Sequence, residues 1–305
     1  MLQYHTFPCP HAAVTLSHHS PHAPCARIPT ISCHPQQPQP GGGPHPGPPS
    51  SQAAHRTSAT RTRRRGWGQA VAAAPALRNG VGNSAWEQEL LLAHQELQGL
   101  TLPKHLAVIM DGNARWAQAR GMPVTKGHEQ GGIRFKELVD SSRALGLRAL
   151  TGLRLDFVGE ISRLPSSLQA RVSSAQRATC NNTGMILTVA LSYSSQQDVA
   201  AAARRIARLA AQGLLDPDKV DAGMLQEHLS TAPVLSDVGS PDLLIRTSGE
   251  QRLSNFLLFE MAYCELYFSK VHWPDFSIKD LCEAFKDYSK RQRRYGRRLR
   301  HTNLI

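Results

Sequence analysis

The sequence predicts an α/β domain with a mostly parallel sheet flanked by helices, extending over residues 101–305. Continuous apolar runs such as LAVIM at 106–110 and MILTVAL at 185–191 are typical of strands that are buried on both faces. These runs alternate with longer segments of helical character, which is the rhythm of βαβ units. Such a domain places its ligands at the carboxyl ends of the strands.

The bulk properties limit the class of protein. The chain has 305 residues and a formal net charge of +12, yet residues 1–86 contain no Asp or Glu and seven arginines. The remaining chain carries a net charge near +5, which is a modest excess. Six scattered cysteines without a CxxC pair indicate a reducing compartment. The sequence has no apolar run of about 18 residues, so it predicts no transmembrane helix, and no compact apolar secretion signal is found.

Residues 1–85 are rich in His, Pro, Ser, Ala, Gly and Gln, and this composition predicts disorder. The absence of acids, together with Arg, Ser and Thr, is typical of an organelle transit peptide, with a plastid ahead of a mitochondrion. An untargeted tail and a gene model that begins too early are the alternatives. The arginine run at 61–65 lacks aromatic neighbours, so nucleic-acid binding is the weakest interpretation.

The elements of the domain follow in order. An amphipathic entry helix covers residues 86–100, and helices are predicted at 129–145, 165–180, 198–212 and 224–229, with a loop at 233–241. Two strand-like runs, 147–151 and 153–160, are separated only by Gly152. Because parallel neighbours need a crossover of about a dozen residues or more, either these runs form one overlong strand or a segment is missing.

The first candidate site is the end of the first strand, in the stretch KHLAVIMDGNARW at 104–116. Asp111 follows the buried strand and suits a metal ion that bridges phosphates. Gly112 allows close approach to the backbone, Asn113 offers an amide, and Arg115 offers a fork of donors. The alternative is an ordinary tight turn with a solvated Arg115 and with Trp116 in the core.

A second stretch, PDLLIRTSGEQRLSNF at 241–256, repeats this arrangement. A buried strand delivers Arg246, and the following turn presents Arg252 and Ser254, which together suit a diphosphate. Two surface arginines on a loop are the alternative. His128 stands at the start of a glycine-rich helix whose amides can approach a phosphate, or whose glycines serve only close packing. Glu265 lies in the otherwise apolar run AYCELYF.

Four runs taken together, MDGNxRW, DLLIRTSGExRLSNFLL, AYxELYF and WPDF, resemble the cis-prenyltransferase family, which includes undecaprenyl and dehydrodolichyl diphosphate synthases. They span about residues 102–296 and occur in the family's order. The chain has no Asp-Asp pair, which counts against the trans-prenyltransferases with their aspartate-rich metal motifs.

The resemblance implies an enzyme that condenses isopentenyl diphosphate onto farnesyl or geranylgeranyl diphosphate with cis geometry, using Mg²⁺. It implies a homodimer or a heteromer with a related subunit, and peripheral membrane association through the polyprenyl product. A plastid is the expected location, with the endoplasmic reticulum, cytosol or mitochondrion as alternatives. By motif match it assigns catalysis to Asp111 and Asn113, metal binding to Asp111 and Glu265, and substrate binding to Gly112, Arg115, Trp116, His128, Arg246, Arg252, Ser254, Arg294 and Gly296.

The chain also departs from the family. A block on the order of 45 residues, with an F-S-x-E-N-W motif and a pair of helices, is absent at Gly152, where a parallel sheet requires its crossover. In the family that block contributes to catalysis and walls the product tunnel. A Gly-Gly-Arg element is replaced by Ser194, Ser195 and Gln196, and a basic residue is replaced by Val124.

Two main hypotheses result. The first is a polyprenyl diphosphate synthase of which this chain is a splice form or an exon-skipped gene model, with low or no activity. The second is a non-catalytic subunit that pairs with an intact synthase. The first is favoured because a dedicated partner subunit has little need of the metal ligand, and the chain retains Asp111, Arg246, Arg252, Ser254, Glu265 and the R-x-G end at 294–296.

Overall fold

A computed structural model of the protein describes residues 12–18, 85–145 and 152–292. The chain divides into two units, one of residues 1–25 with 73–305 and one of residues 26–72, and all described residues belong to the first. The predicted strand at 147–151 and the candidate residues Arg294 and Gly296 lie outside the described ranges.

The helices and strands alternate along most of the described chain. In order they are β1 (Ala12–His18), α1 (Ala85–Leu97), β2 (His105–Met110), α2 (Asn113–Gln118), α3 (Val124–Ala144), β3 (Arg154–Val158), α4 (Ser166–Thr179), β4 (Met185–Ala190), α5 (Ser195–Ala211), α6 (Ala222–Glu227), α7 (Ala232–Val238), β5 (Leu243–Arg246), β6 (Glu265–Phe268) and α8 (Ile278–Ser289). None of the helices in the described part of the chain has the length and hydrophobicity needed to cross a membrane.

These strands form one sheet in the order β3-β4-β1-β2-β5-β6. The pairs β2–β5, β5–β6 and β3–β4 are parallel, whereas β1 is antiparallel to both of its neighbours. The predicted fold class, a mostly parallel sheet flanked by helices, is therefore confirmed. The single antiparallel strand comes from the N-terminal region and lies in the middle of the sheet.

The larger core lies on the face of the sheet covered by α1, α3 and α8. Val14, Leu106, Val108, Leu187 and Leu243 point into it, and each is at most 3% exposed. The opposite face has a smaller core, which includes Ala13, Ala107, Ile109 and Leu244 and is covered in part by Phe256, Leu257 and Met261. Because successive strand residues face opposite sides and both faces of β2 are covered, apolar residues occupy every position from Leu106 to Met110.

The prediction of disorder over residues 1–85 is wrong for residues 12–18, which form β1. Ala13, Val14, Thr15 and Leu16 are all buried. A run with β-branched Val and Thr suits a strand, but it is short, and the His- and Pro-rich composition around it dominates any average over the region. Full burial of Val14 and Leu16 stabilises the fold by roughly 1.5–3 kcal/mol each.

Two other boundaries differ from the sequence predictions. The helix predicted at 129–145 begins five residues earlier, directly after Pro123, because that proline precedes the first turn and Gly127 and Gly131 remain helical. The predicted loop at 233–241 contains α7, in which Pro233 occupies the first turn, where a missing N–H costs nothing. Val234 and Leu235 of α7 are buried.

Candidate active site

The site is built at the carboxyl ends of β2 and β5. Because these strands are parallel, with Ile109 opposite Arg246, Asp111 and Arg246 emerge at the same edge of the sheet. An Nη of Arg246 lies 3.0 Å from a carboxylate oxygen of Asp111. The Arg246 side chain is fully buried, and that of Asp111 is 11% exposed. The structure thus brings together two of the predicted site residues in a buried ion pair.

Arg115 approaches the same carboxylate from the solvent side. It lies on α2, one turn after Asp111, and its Nη2 is 3.2 Å from the other Asp111 oxygen. Its Nη1 donates to Glu250 at 2.8 Å, and its side chain is 43% exposed. One carboxylate is therefore held between a buried and an exposed guanidinium, so an anion that approaches from solvent meets Arg115 first.

The loop after β5 supplies the remaining cations and hydroxyls. Arg246 donates to the Ser254 hydroxyl at 2.7 Å and to the carbonyl of Arg252, and its Nε is buried without a hydrogen-bond partner. The Arg252 side chain is 60% exposed and pairs with Glu250. Its hydrogen bond holds the pKa of the Glu250 carboxyl below the ordinary value, with a smaller contribution from Arg115. This loop presents one exposed guanidinium over one buried guanidinium.

The backbone of Asp111 is fixed by a set of hydroxyls and one amide. The Asp111 N–H donates to the Thr247 hydroxyl at 2.9 Å, and the Asp111 carbonyl accepts from the Ser248 hydroxyl at 2.9 Å and from the Trp273 amide at 3.0 Å. The Ser248 hydroxyl also lies 2.8 Å from Nδ1 of His272. These bonds position the carboxylate through its own main chain.

Gly112 has a structural reason to be glycine. Its φ is +100°, and an added Cβ would lie 1.9 Å from the Ser248 hydroxyl oxygen and 2.7 Å from His272 Nδ1. Sequence reasoning identified Gly112 as a place for close approach, and in the structure the close neighbours are these two side chains. Thr247, Ser248, Glu250 and His272 were missed as site residues, although three of them lie within the quoted RTSGE run.

Asn113 lies against the glycine-rich start of α3. A Cβ on Gly127 would meet the Asn113 carbonyl oxygen at 2.0 Å, and one on Gly131 would meet the Asn113 side-chain oxygen at 2.2 Å. That side-chain oxygen is buried and has no hydrogen-bond partner. Close packing therefore explains both glycines, while His128, the next residue after Gly127, is exposed.

Trp116 is held at the rim by charged side chains. Its indole N–H donates to Asp275 at 2.7 Å, and the Arg120 guanidinium lies 4.3 Å from its ring centroid while pairing with Asp275 at 3.0 Å. Asp275 belongs to the WPDF run. The structure thus connects two of the motifs by which the sequence resembles its family, and Trp116 joins α2 to the segment before α8.

Glu265 is not brought to Asp111 within this chain. It begins β6 and stands opposite Leu243, the first residue of β5, so it lies at the end of the strands away from Arg246. Its carboxylate pairs with Arg291 at 3.0 Å. The described residues contain no cluster of three or more His, Cys, Asp or Glu side chains that could hold a metal. Asp111 is the one predicted metal ligand that the structure places at the site.

The residues that replace the family's Gly-Gly-Arg element connect two segments. Asn255 donates to the Ser194 hydroxyl at 2.8 Å and accepts from the Gln196 amide at 3.0 Å, while the Leu258 amide donates to the Ser195 hydroxyl at 3.0 Å. Ser254 and Asn255 both have positive φ. Backbone strain of this kind persists where the surroundings enforce it, and here the start of α5 does so beside the candidate site.

The chain is similar in sequence to a known family of proteins. The family model for putative undecaprenyl diphosphate synthases matches residues 109–153 and 149–296. An isoprenyl transferase of Bradyrhizobium diazoefficiens is 38% identical over 231 residues, covering 64% of this chain and 90% of that protein. A chloroplastic dehydrodolichyl diphosphate synthase of Solanum lycopersicum is 38% identical over 253 residues, covering 71% of this chain and 80% of that protein.

A solved structure is also similar. The lavandulyl diphosphate synthase of Lavandula x intermedia, crystallised with dimethylallyl diphosphate, matches with a TM-score of 0.59 and 31% identity. The match covers 62% of this chain and 96% of that one.

The same comparisons bear on the discontinuity at Gly152. The 231-residue alignment to the Bradyrhizobium protein occupies 64% of 305 residues, or about 195, so about 36 residues of that relative have no counterpart here. The two matched segments of the family model meet at 149–153, which is where the sequence lacks a crossover. The family model covers more than half of the chain, and this chain therefore belongs to the cis-prenyltransferase family of undecaprenyl diphosphate synthases.

Proposed function

We propose that this protein transfers prenyl groups at the Asp111 edge, condensing isopentenyl diphosphate onto an allylic diphosphate with cis geometry. The observation that carries the proposal is the arrangement of one carboxylate between a buried Arg246 and an exposed Arg115, with Arg252 on the adjoining loop. A reaction in which a diphosphate leaves needs its growing negative charge neutralised, and preorganised guanidiniums meet that need.

Different residues of the site would bind the two diphosphate substrates. Arg252 is exposed and has a long side chain, so it can leave Glu250 and bind a diphosphate in a fork geometry. Ser254 adds a hydroxyl already oriented by Arg246. Arg115 and Asn113, on either side of Ala114 and next to Gly112, would receive the allylic diphosphate, as the family motif implies.

Asp111 fits a magnesium ion in the way that phosphate-handling enzymes use it. Mg²⁺ is held by one or two carboxylates together with substrate phosphates, so a single hard oxygen ligand at the site is sufficient. Asp111 would hold the ion, which when bound supplies charge neutralisation to the leaving diphosphate. Arg246 orients the carboxylate through their ion pair, while Glu265 would contribute only through an arrangement other than the one within this chain.

We further propose that this form of the chain has low or no activity, because about 36 residues present in the relatives are missing. That same gap favours a second candidate function, a non-catalytic subunit that pairs with an intact synthase. A homodimer is the expected assembly under the first function and a heteromer under the second. The chloroplastic relatives of Solanum lycopersicum and the acid-free N-terminal region support a plastid location.

The experiment is an assay of the full chain with farnesyl diphosphate, labelled isopentenyl diphosphate and Mg²⁺. The compared proteins are the Asp111→Ala variant and the longer form of the protein encoded by any transcript that carries additional codons between those for residues 151 and 152. We expect product from the longer form, little or none from this chain, and none from the Asp111→Ala variant of the longer form. Full turnover by this chain would refute the proposed impairment. A single short transcript without product, whose protein stimulates an intact synthase, would support the partner-subunit function.

A further inference from the structure

The central strand β1 is what connects the two halves of the sheet. Strands β2, β5 and β6 form one parallel group, and β3 and β4 form another. In the observed strand order only β1 stands between β2 and β4, pairing six residues with each. Without it, β2 and β4 would both present unpaired backbone N–H and C=O groups inside the domain, which is costly.

The side chains of β1 match their cross-strand neighbours. Leu16 stands between Leu106 and Leu187, and Val14 stands between Val108 and Val189. Val14 and Leu16 have no exposed surface and belong to the larger core.

On the other face of the sheet, Thr15 stands between Ala107 and Thr188, and Ala13 stands between Ile109 and Ala190. A slip of one residue would exchange these two faces, so the side chains specify the register strongly.

The position of β1 is unusual for a wound α/β sheet. In a βαβ unit the strand after the crossover helix returns parallel to the first, and sequential strands are usually neighbours. Here α3 follows β2, but the next described strand, β3, lies three positions away in the sheet. The place beside β2 is taken by a strand of opposite direction from the beginning of the chain.

We propose that residues 12–18 bind between β2 and β4 by β-strand addition, although they come from the N-terminal region and not from the βαβ units. We further propose that the domain stays folded only while this segment remains attached. Main-chain hydrogen bonds to two partners supply the binding, and the buried Val14 and Leu16 supply the specificity, as in other strand-addition interfaces.

Removal of residues 1–85 as a transit peptide would delete β1. Among the residues that the structure describes, a mature chain that begins near residue 86 would then have no strand between β2 and β4. The mature protein is therefore expected to retain residues 12–18, and any targeting signal must act without their loss. This dependence is a property of the fold and holds whether or not the site is catalytic.

The test uses the full chain with a specific protease site inserted within residues 26–72, between the two parts of the unit that contains the sheet. The protein is folded, cut, and passed over a size-exclusion column under native conditions. We expect the N-terminal fragment to co-elute with the remainder and to separate only in denaturant. The matched variant Val14→Asp/Leu16→Asp should lose its fragment after the cut.

Hydrogen exchange on the uncut wild-type chain gives an answer even if that variant fails to fold. The amides of residues 13–17, like those of β2, should exchange at least about 100-fold more slowly than an unstructured reference. Exchange at the reference rate, or release of the wild-type fragment on dilution, would overturn the proposal. Isolation from its native source of a stable, folded mature chain that begins after residue 18 would also overturn it.

Discussion

The two halves of the sheet differ in how their strands are supported. In the half formed by β2, β5 and β6 all pairs are parallel, every residue of β2 and β5 is buried, and the edge strand β6 is partly buried. In the other half, four of the five residues of β3 are only partly buried, and β4 is joined to the rest through the antiparallel β1. The charged edge at Asp111 belongs to the first half, and the discontinuity at residues 149–153 adjoins the second.

The proposed reaction requires side chains that bind diphosphates and an apolar chamber that receives the product. This difference shows that the chain can retain the first without the second. The diphosphate-binding side chains come from short motifs at strand ends, so they survive intact when a distant block is absent. An apolar chamber requires whole elements packed against the sheet, and the discontinuity at residues 149–153 lies directly before β3. A chain can therefore retain the charged site while losing the wall that a long product needs.

The largest effect is expected from removing the buried partner of Asp111. Arg246→Met should lower the free energy of unfolding by about 3–5 kcal/mol, because it leaves a largely buried carboxylate without its inner counter-charge. Urea denaturation measures the change. Arg120→Met is the control, since it removes an exposed pair with Asp275 and should cost less than about 1 kcal/mol. Equal losses in the two variants would show that the inner pair is not buried in solution.

The next largest effect tests β1, the strand that joins the two halves of the sheet. Leu16→Ala should cost about 2–4 kcal/mol, because a fully buried side chain in the middle of the sheet leaves a cavity. Leu91→Ala is the matched control, since Leu91 is 51% exposed on α1, and it should change stability by no more than about 0.5 kcal/mol. A Leu16 variant as stable as the Leu91 variant would mean that β1 contributes nothing to the sheet.

A third effect is pH dependence at the start of β2. Burial lowers the pKa of His105 from 6.5 to about 4, and its Nδ1 hydrogen-bonds to the Gly239 carbonyl while Nε2 has no partner. As the pH falls below 6.5, His105 becomes protonated in the unfolded chain but stays neutral in the folded chain until about pH 4. The free energy of unfolding therefore decreases over this range. Between pH 7.5 and pH 5 the loss should be about 2 kcal/mol.

Thermal melts of His105→Gln across that range check the assignment. Gln retains a donor for Gly239 but does not titrate, so the variant should lose most of the pH dependence below 6.5. His128→Gln, at an exposed position on α3, should keep it. An unchanged slope in the His105→Gln variant would place the titration elsewhere.

The features that the sequence predicts are those set by residues close together in the chain, and the features that it misses depend on contacts between distant segments. The buried run at 106–110 and the motif around Arg246 are local, and both the strands and the Asp111–Arg246 pairing follow from the rule that parallel strands bring their carboxyl ends together. The Ser248–His272 contact could not be read from spacing, because it depends on how the segment before α8 returns to the edge. Glu265 was expected at the metal because its motif matches, yet its register opposite Leu243 is a property of the assembled sheet.

The sequence prediction missed the N-terminal strand β1 for a different reason. Composition describes an average over many residues, and seven residues within a Pro- and His-rich region barely change that average. Residues 12–18 form a strand because β2 and β4 both pair with them and offer matching side chains. This pairing depends on the tertiary structure, which a local composition does not contain. The gap at Gly152 was visible in the sequence, but the strand that lies between β2 and β4 was not.

The smallest effect on stability should come from the outer partner of Asp111. Arg115→Ala removes an ion pair whose arginine is 43% exposed, so it should change the free energy of unfolding by less than about 1 kcal/mol. The same change should weaken binding of inorganic pyrophosphate with Mg²⁺ by about 10-fold or more, since a charge-assisted hydrogen bond to an anion contributes about 1.5–3 kcal/mol. Calorimetric titration measures this binding, and Arg120→Ala, an equally exposed arginine on the same rim, should leave it unchanged. If both variants bind pyrophosphate like the wild type, the anion does not enter beside Asp111. If both weaken it equally, the rim attracts the anion only through its general charge.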